Sequence, residues 1–197
     1  MTTSIDYYDA NAQDFFDSTV DVDMRSIYQE FVSRLAVGAT LVDAGCGSGR
    51  DARYFAQQGF QVLAFDASEA LVTLAQNRTG LRVVKARFLD FQTLLASLDG
   101  IWACASLLHV AKAELSATFT HLSQFLKPDA VFYCSFKYGD DEVSRNGRRF
   151  TNLDEVSLAA LLKQADCGLT ISKTWVTTDV RPGREQENWL NAILTKG

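Results

Sequence analysis

The sequence predicts an α/β protein built on one Rossmann-like, mostly parallel sheet with helices on both faces. Short apolar runs alternate with amphipathic segments along most of the chain, which is typical of parallel strands joined by helices. Two of these runs, residues 100–105 and 130–136, are almost wholly apolar, as central strands covered on both faces are. Residues 40–66 read as strand, glycine turn, helix, strand and acid, which is the layout of a nucleotide-binding βαβ unit.

Helical sequence is expected before the first strand. Residues 7–19 carry apolar side chains at helical spacing, and a stronger amphipathic pattern spans residues 24–35. Gly38 follows at the position where a left-handed helix cap is expected. We therefore predict an N-terminal helical segment over residues 1–37.

Seven strands are predicted, with helices between the first six of them. The predicted strands span residues 40–43, 61–65, 81–85, 100–105, 130–136, 169–178 and 187–195. The helical segments between them are predicted over residues 49–58, 68–80, 92–98, 115–126 and 152–168. Asn152 and Glu155 form a capping-box pattern at the start of the last helix, and a turn is expected at residues 127–129. The last two strands can pair as a hairpin, which makes one of them antiparallel to the rest.

Length and composition point to a single domain over residues 1–197. The net charge of −5 provides no overall field that would attract nucleic acid or an anionic membrane. No secretory signal is visible, and no apolar run approaches the ~20 residues that span a bilayer. Four scattered cysteines predict reduced thiols, and two histidines cannot build a multi-histidine metal site. We expect a cytoplasmic protein, monomeric or homodimeric, with no metal and no membrane contact.

The glycine turn favours one nucleotide cofactor over another. Dinucleotide sites follow a GxGxxG pattern, but here Gly45, Gly47 and Gly49 come at every second position, so the third glycine is one residue early. The strand before the turn ends on Asp43. A carboxylate there would repel a pyrophosphate, whereas it would attract the ammonium group of a sulfonium amino acid. The turn therefore favours S-adenosylmethionine over NAD.

These motifs resemble those of the class I S-adenosylmethionine-dependent methyltransferases, in their small, single-domain, tellurite-resistance-like and general small-molecule branch. The residues that carry the resemblance are VDAGCGSGRD, AFDAS, FLDF, GIWACASLLHV and LKPDAVFYCSFKYG, and the first block is the specific one. The resemblance covers essentially the whole chain from Tyr8 onward. It implies one methyltransferase domain with strand order 3-2-1-4-5-7-6, in which strand 7 is antiparallel. The family often has glycine at the position of Asp129, which is a departure in a turn.

The resemblance also implies a set of cofactor-binding residues. Glycines and a cysteine of the turn would line the methionine part, Asp43 would face the ammonium group, and Asp66 would take the ribose. Tyr8 would belong to a lid formed by residues 1–37. The complete implied set is Tyr8, Asp43, Gly45, Cys46, Gly47, Gly49, Asp66, Ala67 beside the adenine, Asp90 and Phe91 at the adenine edge, and Ala105 and Ser106 near the sulfonium.

Candidate substrate residues follow the fourth and fifth strands and the last turn. His109 could act as a general base, because its unperturbed pKa is near neutrality, or it could be a structural residue at a helix start. Two substrate-side loops are predicted over residues 137–150 and 179–186. The polar residues expected to meet the substrate there are Tyr138, Arg145, Arg148, Arg181 and Arg184. Converging arginines suit a carboxylate or phosphate, although a solvated charged loop would look the same in sequence.

Three functions agree with these features. The first is transfer of a methyl group to an O, N or S atom of a small molecule, with anionic molecules among the candidates. The second is methylation of a nucleic acid such as tRNA. It is disfavoured because residues 105–108 lack the Asn/Asp-Pro-Pro-aromatic turn that usually accompanies methylation of an extruded base. The third is a non-catalytic module that only binds the cofactor.

Overall fold

A computed structural model describes residues 3–181 and 183–197, so residues 1 and 2 of the predicted lid and residue 182 of the predicted last loop lie outside the described residues. The helices are α1 (Ser4–Ala10), α2 (Ala12–Thr19), α3 (Arg25–Val32), α4 (Arg50–Gln57), α5 (Glu69–Thr79), α6 (Lys112–Ser123) and α7 (Glu155–Ala165). The strands are β1 (Thr40–Ala44), β2 (Gln61–Asp66), β3 (Val83–Lys85), β4 (Leu98–Ala103), β5 (Leu126–Lys137), β6 (Glu142–Arg145), β7 (Arg148–Thr151), β8 (Leu169–Thr178) and β9 (Asn188–Lys196). Within these ranges, the structure contains no helix that combines the length and apolar character needed to cross a membrane.

The main sheet has seven strands in the order β3-β2-β1-β4-β5-β9-β8. Strands β1 to β5 pair in parallel, and β9 runs antiparallel to both β5 and β8. Since β8 and β9 are the sixth and seventh strands of this sheet, the predicted order 3-2-1-4-5-7-6 and the antiparallel seventh strand are confirmed. The two remaining strands, β6 and β7, form a separate antiparallel hairpin.

Two apolar layers cover the sheet because consecutive strand residues point to opposite faces. In β5, Phe132 packs into the layer beneath α6 and α7, whereas Tyr133 packs into the layer beneath α3 and α4. Ile101 and Trp102 alternate in the same way in β4, and all four side chains are fully buried. The almost wholly apolar runs of the sequence are therefore central strands, as predicted.

Several local predictions were wrong. Residues 86–97 form turns and irregular backbone rather than a helix, and Leu94 and Leu95 are exposed there, so no buried face exists to stabilise a helix. Helix α7 begins two residues later than the Asn152 pattern suggested. Asp154 caps it by accepting from the Ser157 N–H at 2.8 Å.

The turn at residues 127–129 also differs from the prediction. It lies inside β5, where the pairing with β4 shifts register between Leu98 and Gly100. Asp129 has φ +63° there, which is the left-handed conformation that glycine adopts most readily. Asp129 thus adopts the conformation of the glycine that the family often has here, and it does so at an irregularity within the strand.

The predicted loop over residues 137–150 is largely the β6–β7 hairpin. Its tip is Asn146-Gly147, with φ of +51° and +75°. Two positive values are what the centre of a type I′ turn requires, and Asn-Gly is its preferred sequence. The hairpin packs beside α1, where the Arg149 N–H donates to the Ser4 hydroxyl at 3.0 Å.

Candidate active site

The glycine turn between β1 and α4 lies where the carboxyl ends of the parallel strands meet, which is the usual ligand position in this architecture. Gly45, Gly47 and Gly49 all have positive φ, at +75°, +53° and +73°. A Cβ on Gly45 would stand 2.6 Å from the Cβ of Ser106, and one on Gly47 would stand 3.0 Å from the ring of Phe15. These two glycines therefore allow a close approach at the edge of the cavity described below.

Gly49 has a different reason to be glycine. A Cβ there would stand 2.8 Å from Cγ2 of Thr79 on α5. Its missing side chain therefore permits two helices to pack, and the predicted contact with a cofactor does not explain it. Helix α4 begins directly after Gly49 and lies against α5. This packing accounts for a glycine at position 49, one residue earlier than in the GxGxxG pattern.

Asp43 is turned away from the cavity. Its Oδ2 accepts from the Ala52 N–H at 2.9 Å, and the side chain is buried. Gly49, at the N-cap of α4, has no side chain to cap the helix, so Asp43 does so from the neighbouring strand. Burial raises the pKa of Asp43 well above its usual value, and the nearby Asp51 adds to this. This capping bond uses only Oδ2, and Asp43 does not line the cavity, so its contact with the ammonium group of the cofactor stays a prediction.

Asp66 lies at the end of β2 beside the glycine turn. Its Oδ2 accepts from the Gly47 N–H at 2.9 Å, and its Oδ1 accepts from the Ser68 N–H at 2.9 Å. Burial raises the pKa of Asp66, while these N–H donors act in the opposite direction. Asp66 therefore ties the turn to the start of α5, close to where a ribose would lie in this fold.

The predicted adenine contacts divide differently from the expectation. Phe91 belongs to the core, where it stacks on Phe65 with ring centroids 4.4 Å apart, and Asp90 is exposed. Phe88, which the sequence analysis did not select, lies nearer to the turn, 3.4 Å from the position of a Cβ on Gly45. The FLDF segment contains both aromatics, so only the packing could separate the core residue from the one at the rim.

A cavity of about 410 Å³ opens from the glycine turn. Gly45, Cys46, Gly47 and Ala105 line one side of it, and Tyr8 and Phe15 of α1 and α2 line another. The β6–β7 hairpin and the loop between β8 and β9 close the far side. One cavity thus joins most of the predicted methionine side of the cofactor site to most of the predicted substrate side.

Arg50 is a cationic residue of this cavity that the sequence analysis did not select. Its guanidinium donates to both carboxylate oxygens of Asp51, at 2.5 Å and 3.0 Å. Asp51 also accepts from the indole of the buried Trp102 at 2.8 Å and from the hydroxyl of Tyr28. This network fixes a positive group beside the glycine turn. In the sequence, the position of Arg50 directly after GCGSG was the signal that could have identified it as a residue of the cavity.

His109 and Tyr8 are hydrogen-bonded to each other across the cavity. The Tyr8 hydroxyl lies 2.8 Å from Nε2 of His109, and Nδ1 lies 2.7 Å from the backbone carbonyl of Arg149. Since a carbonyl can only accept, the tautomer is assigned with the proton on Nδ1, so Nε2 accepts from Tyr8. Burial lowers the pKa of His109 to about 4, and both ring nitrogens are engaged. Burial raises the pKa of Tyr8, and the guanidinium of Arg148 opposes this through hydrogen bonding and through its charge.

The predicted substrate-side residues are not equivalent. Arg181 is bound in a two-point ion pair with Asp179, at 2.9 Å and 2.5 Å, and Arg184 lies 4.0 Å from Glu187. Arg145 lines the cavity but is exposed. Tyr138 does not line the cavity; its hydroxyl donates to Glu155 at 3.0 Å on the side of α7. The predicted role of Tyr138 in substrate binding is therefore not supported by its position.

Arg148 and Lys137 reach the cavity with different partners. Lys137, which the sequence analysis did not select, forms an ion pair with Glu187. Arg148 stacks its guanidinium on the ring of Tyr7, with the carbon Cζ 4.3 Å from the ring centroid, and lies 5.2 Å from the centroid of Phe150. Within the described part of the chain, its Nε is buried and has no hydrogen-bond partner.

The sheet order, and the glycine turn beneath α1 and α2, are those of the Rossmann-like methyltransferase fold. Residues 41–129 match the family model described as "Methyltransferase domain". The match covers the glycine turn and strands β2 to β4, which is the part of the chain that is similar to this family of methyltransferases. The tellurite-resistance-like branch stays a prediction.

Individual proteins that the chain resembles are also named as methyltransferases. The chain is 26% identical over 158 residues to the chloroplastic magnesium protoporphyrin IX methyltransferase of Arabidopsis thaliana, covering 74% of this chain and 51% of that protein. The chain spans about half the length of the curated relatives it matches.

Two solved structures share the fold over nearly the whole chain. One is a Burkholderia thailandensis 1,6-didemethyltoxoflavin-N1-methyltransferase with bound 1,6-didemethyltoxoflavin and S-adenosylhomocysteine, with a TM-score of 0.75, 24% identity, and coverage of 100% of this chain and 91% of that chain. The other is a magnesium protoporphyrin IX methyltransferase from Synechocystis PCC 6803 with bound S-adenosylmethionine, with a TM-score of 0.74, 19% identity, and coverage of 98% and 95%. At these identities the likeness concerns the fold.

Proposed function

We propose that this protein transfers the methyl group of S-adenosylmethionine to a small molecule that carries an anionic group. The observation that carries the proposal is that one continuous cavity runs from the glycine turn to Arg148 and is covered by α1 and α2. Methyl transfer is an in-line displacement, so the donor and acceptor must meet in one enclosed space from which water is excluded.

The residues of the turn fit the cofactor. Gly45 and Gly47 leave room at the edge of the cavity, and the guanidinium of Arg50, held in place by its ion pair with Asp51, offers N–H donors for the carboxylate of the methionine part. Asp66 is the carboxylate nearest to the turn for a ribose, and Phe88 offers an aromatic edge for the adenine. Asp43 supports the site indirectly by capping α4. When bound, S-adenosylmethionine supplies a methyl group that its sulfonium activates towards nucleophiles.

We propose a positioning role for His109 in place of the predicted general base. Its neutral ring holds the Tyr8 hydroxyl at one nitrogen and the Arg149 carbonyl at the other. Tyr8 also packs edge-on against Phe15, which covers Gly47. His109 therefore keeps the lid closed over the turn, while the protein aligns the acceptor and excludes water.

The size of the cavity supports a small acceptor. A volume of about 410 Å³ is at the lower end of pockets that enclose small ligands. The toxoflavin precursor and the magnesium protoporphyrin in the names of related proteins are small molecules too. With a net charge of −5, a nucleic-acid substrate is the less favoured proposal.

The test combines binding with transfer. We expect S-adenosylhomocysteine to bind in calorimetry and to raise the melting temperature, while NADH does neither. We expect Asp66→Ala to abolish that shift. Tritium from [methyl-³H]S-adenosylmethionine should then enter a low-molecular-mass metabolite extract. Binding without transfer would favour a non-catalytic module, and binding of NADH alone would refute the proposal.

A further inference from the structure

We infer that the methyl acceptor is a carboxylate held by Arg148, so that the product is a methyl ester. This inference rests on the proposed function and adds the chemical class of the acceptor to it. Three features carry it: the unsatisfied donor of Arg148, the aromatic rings around its guanidinium, and the pairing of Asp179 and Glu187, two acidic groups that line the cavity, with cations.

The Nε–H of Arg148 is a buried donor that needs an acceptor. In residues 3–181 and 183–197, no carboxylate lies within ion-pair distance of Arg148. Its neighbour Arg149, which points to the other side of the hairpin, is paired with Glu142 at 2.9 Å. Burying an unsatisfied N–H is unfavourable, so a ligand oxygen at this position would remove a cost that the free protein carries.

The surroundings of Arg148 favour a planar anion of single charge. The ring of Tyr7 lies against the guanidinium face and Phe150 lies close by, so the edge of the guanidinium is left for a ligand. The guanidinium edge matches the two oxygens of a carboxylate. Lys137 and Arg181, which also line the cavity, are paired with acidic partners, whereas Arg145 is exposed to solvent near the tip of the hairpin.

The cavity provides donors but no free base. A hydroxyl or ammonium acceptor would have to lose a proton before or during methyl transfer. In the described residues, His109 has both nitrogens engaged, and Tyr8 gives its hydroxyl hydrogen to His109. Asp179 and Glu187 are held in ion pairs with cations. A carboxylic acid has a pKa of about 4, so it arrives ionised at neutral pH and needs no base.

The reaction step balances without any proton transfer. One carboxylate oxygen forms a bond to the methyl carbon while the carbon–sulfur bond of the donor breaks, and that electron pair stays on sulfur. The negative charge of the acceptor and the positive charge of the sulfonium disappear together. Arg148 lies 6.0 Å from the ring centroid of Tyr8, which covers the turn, so an anion bound at Arg148 lies beside the lid.

The class of acceptor can be tested by treating the labelled products with alkali. After transfer of tritium from [methyl-³H]S-adenosylmethionine into the metabolite extract, base hydrolyses a methyl ester and releases volatile tritiated methanol. Ethers, methylamines and thioethers keep their label. We expect most of the label to become volatile. Alkali-stable label would overturn the inference and leave the proposed function intact, whereas no transfer by protein that binds S-adenosylhomocysteine would overturn both.

The role of Arg148 can be tested with a matched pair of variants. We expect Arg148→Gln to lower formation of alkali-labile product by roughly 10- to 100-fold, which corresponds to the loss of a charge-assisted hydrogen bond. Arg82→Gln changes an exposed arginine that does not line the cavity and should stay within about twofold of the original protein. Benzoate should bind the S-adenosylhomocysteine complex more tightly than the uncharged benzamide, and Arg148→Gln should remove that preference.

Binding of S-adenosylhomocysteine provides the folding control. Its affinity should be the same in both variants, because neither side chain belongs to the glycine turn. Equal ester formation in the Arg148→Gln and Arg82→Gln proteins, or equal affinities for benzoate and benzamide, would overturn the assignment of Arg148.

Discussion

Gly45 and Gly59 have nearly the same backbone conformation but different surroundings. Comparing them therefore distinguishes the cost of backbone strain from the cost of steric crowding. Their φ values are +75° and +87°, so a Cβ is disfavoured at both. A Cβ on Gly45 would collide with Ser106, whereas nothing lies within 4 Å of one on Gly59. We expect Gly59→Ala to cost about 1 kcal/mol of unfolding free energy. Gly45→Ala should cost about 1–3 kcal/mol more and abolish binding of S-adenosylhomocysteine.

Urea denaturation and calorimetry of the two variants provide the comparison. Adding Ser106→Gly to Gly45→Ala should recover part of the lost stability, because it removes the atom that the new Cβ would meet. Equal losses in Gly45→Ala and Gly59→Ala would show that crowding at Ser106 is irrelevant.

His109 should make stability depend on pH between about 4 and 6.5. Burial lowers its pKa to about 4 in the folded state, while the unfolded chain keeps a value near 6.5. Between pH 6.5 and pH 4, His109 is protonated in the unfolded state but neutral in the folded state. The contribution of His109 to the free energy of unfolding is therefore fully present above pH 6.5 and is lost as the pH falls towards and through 4. Because the side chain is only half-buried, we expect this loss to be about 2 kcal/mol.

The measurement is urea denaturation at pH 7 and pH 4, with His109→Gln as the reference. The variant has no titrating group at this position, so its own loss should be smaller by about the same 2 kcal/mol. Identical pH dependence in the two proteins would mean that His109 is not held neutral by burial.

At the scale of elements, α1 is fastened to the rest of the protein by a few specific contacts. Asp9 Oδ1 accepts from the Ser68 hydroxyl at 2.6 Å and from the Ala70 N–H at 3.2 Å, at the start of α5. A carboxylate is favourable at the N-terminus of a helix. We expect Asp9→Ala to speed dissociation of S-adenosylhomocysteine by about fivefold, in line with one lost hydrogen bond.

Stopped-flow displacement of S-adenosylhomocysteine would measure this rate, with Asp14→Ala on the exposed side of α2 as the control. If both variants release the ligand at the original rate, α1 is not the element that retains it.

Elements and their order could be predicted from the sequence better than the direction of their side chains. The alternation of apolar runs was enough to predict a mostly parallel sheet, whereas the strand order came from the resemblance to the methyltransferases. Asp43 was assigned to the ligand from its place at a strand end, but a strand end does not determine whether a carboxylate faces the cavity or the next helix. The Asn146-Gly147 signal for a hairpin was present in the sequence and was overlooked in a region that its charges made look like a loop.

At the scale of the whole molecule, the lid should couple the two halves of the cavity. The same short helices provide Phe15 over the glycine turn and Tyr7 against Arg148, and Tyr8 links both to His109. A ligand that favours the closed lid at one end therefore prepares the other end. We expect S-adenosylhomocysteine to strengthen the binding of benzoate by roughly 5- to 10-fold, and benzoate to strengthen the binding of S-adenosylhomocysteine by the same factor.

Calorimetric titration of each ligand with and without the other measures both factors, which must agree because binding free energies are state functions. The Asp9→Ala variant should show a smaller factor, because its lid has lost a contact that favours the closed state. The Asp14→Ala variant should keep the original factor. Independent binding of the two ligands in the unmodified protein would mean that the lid is closed already without them, and that α1 and α2 form a fixed wall of the cavity.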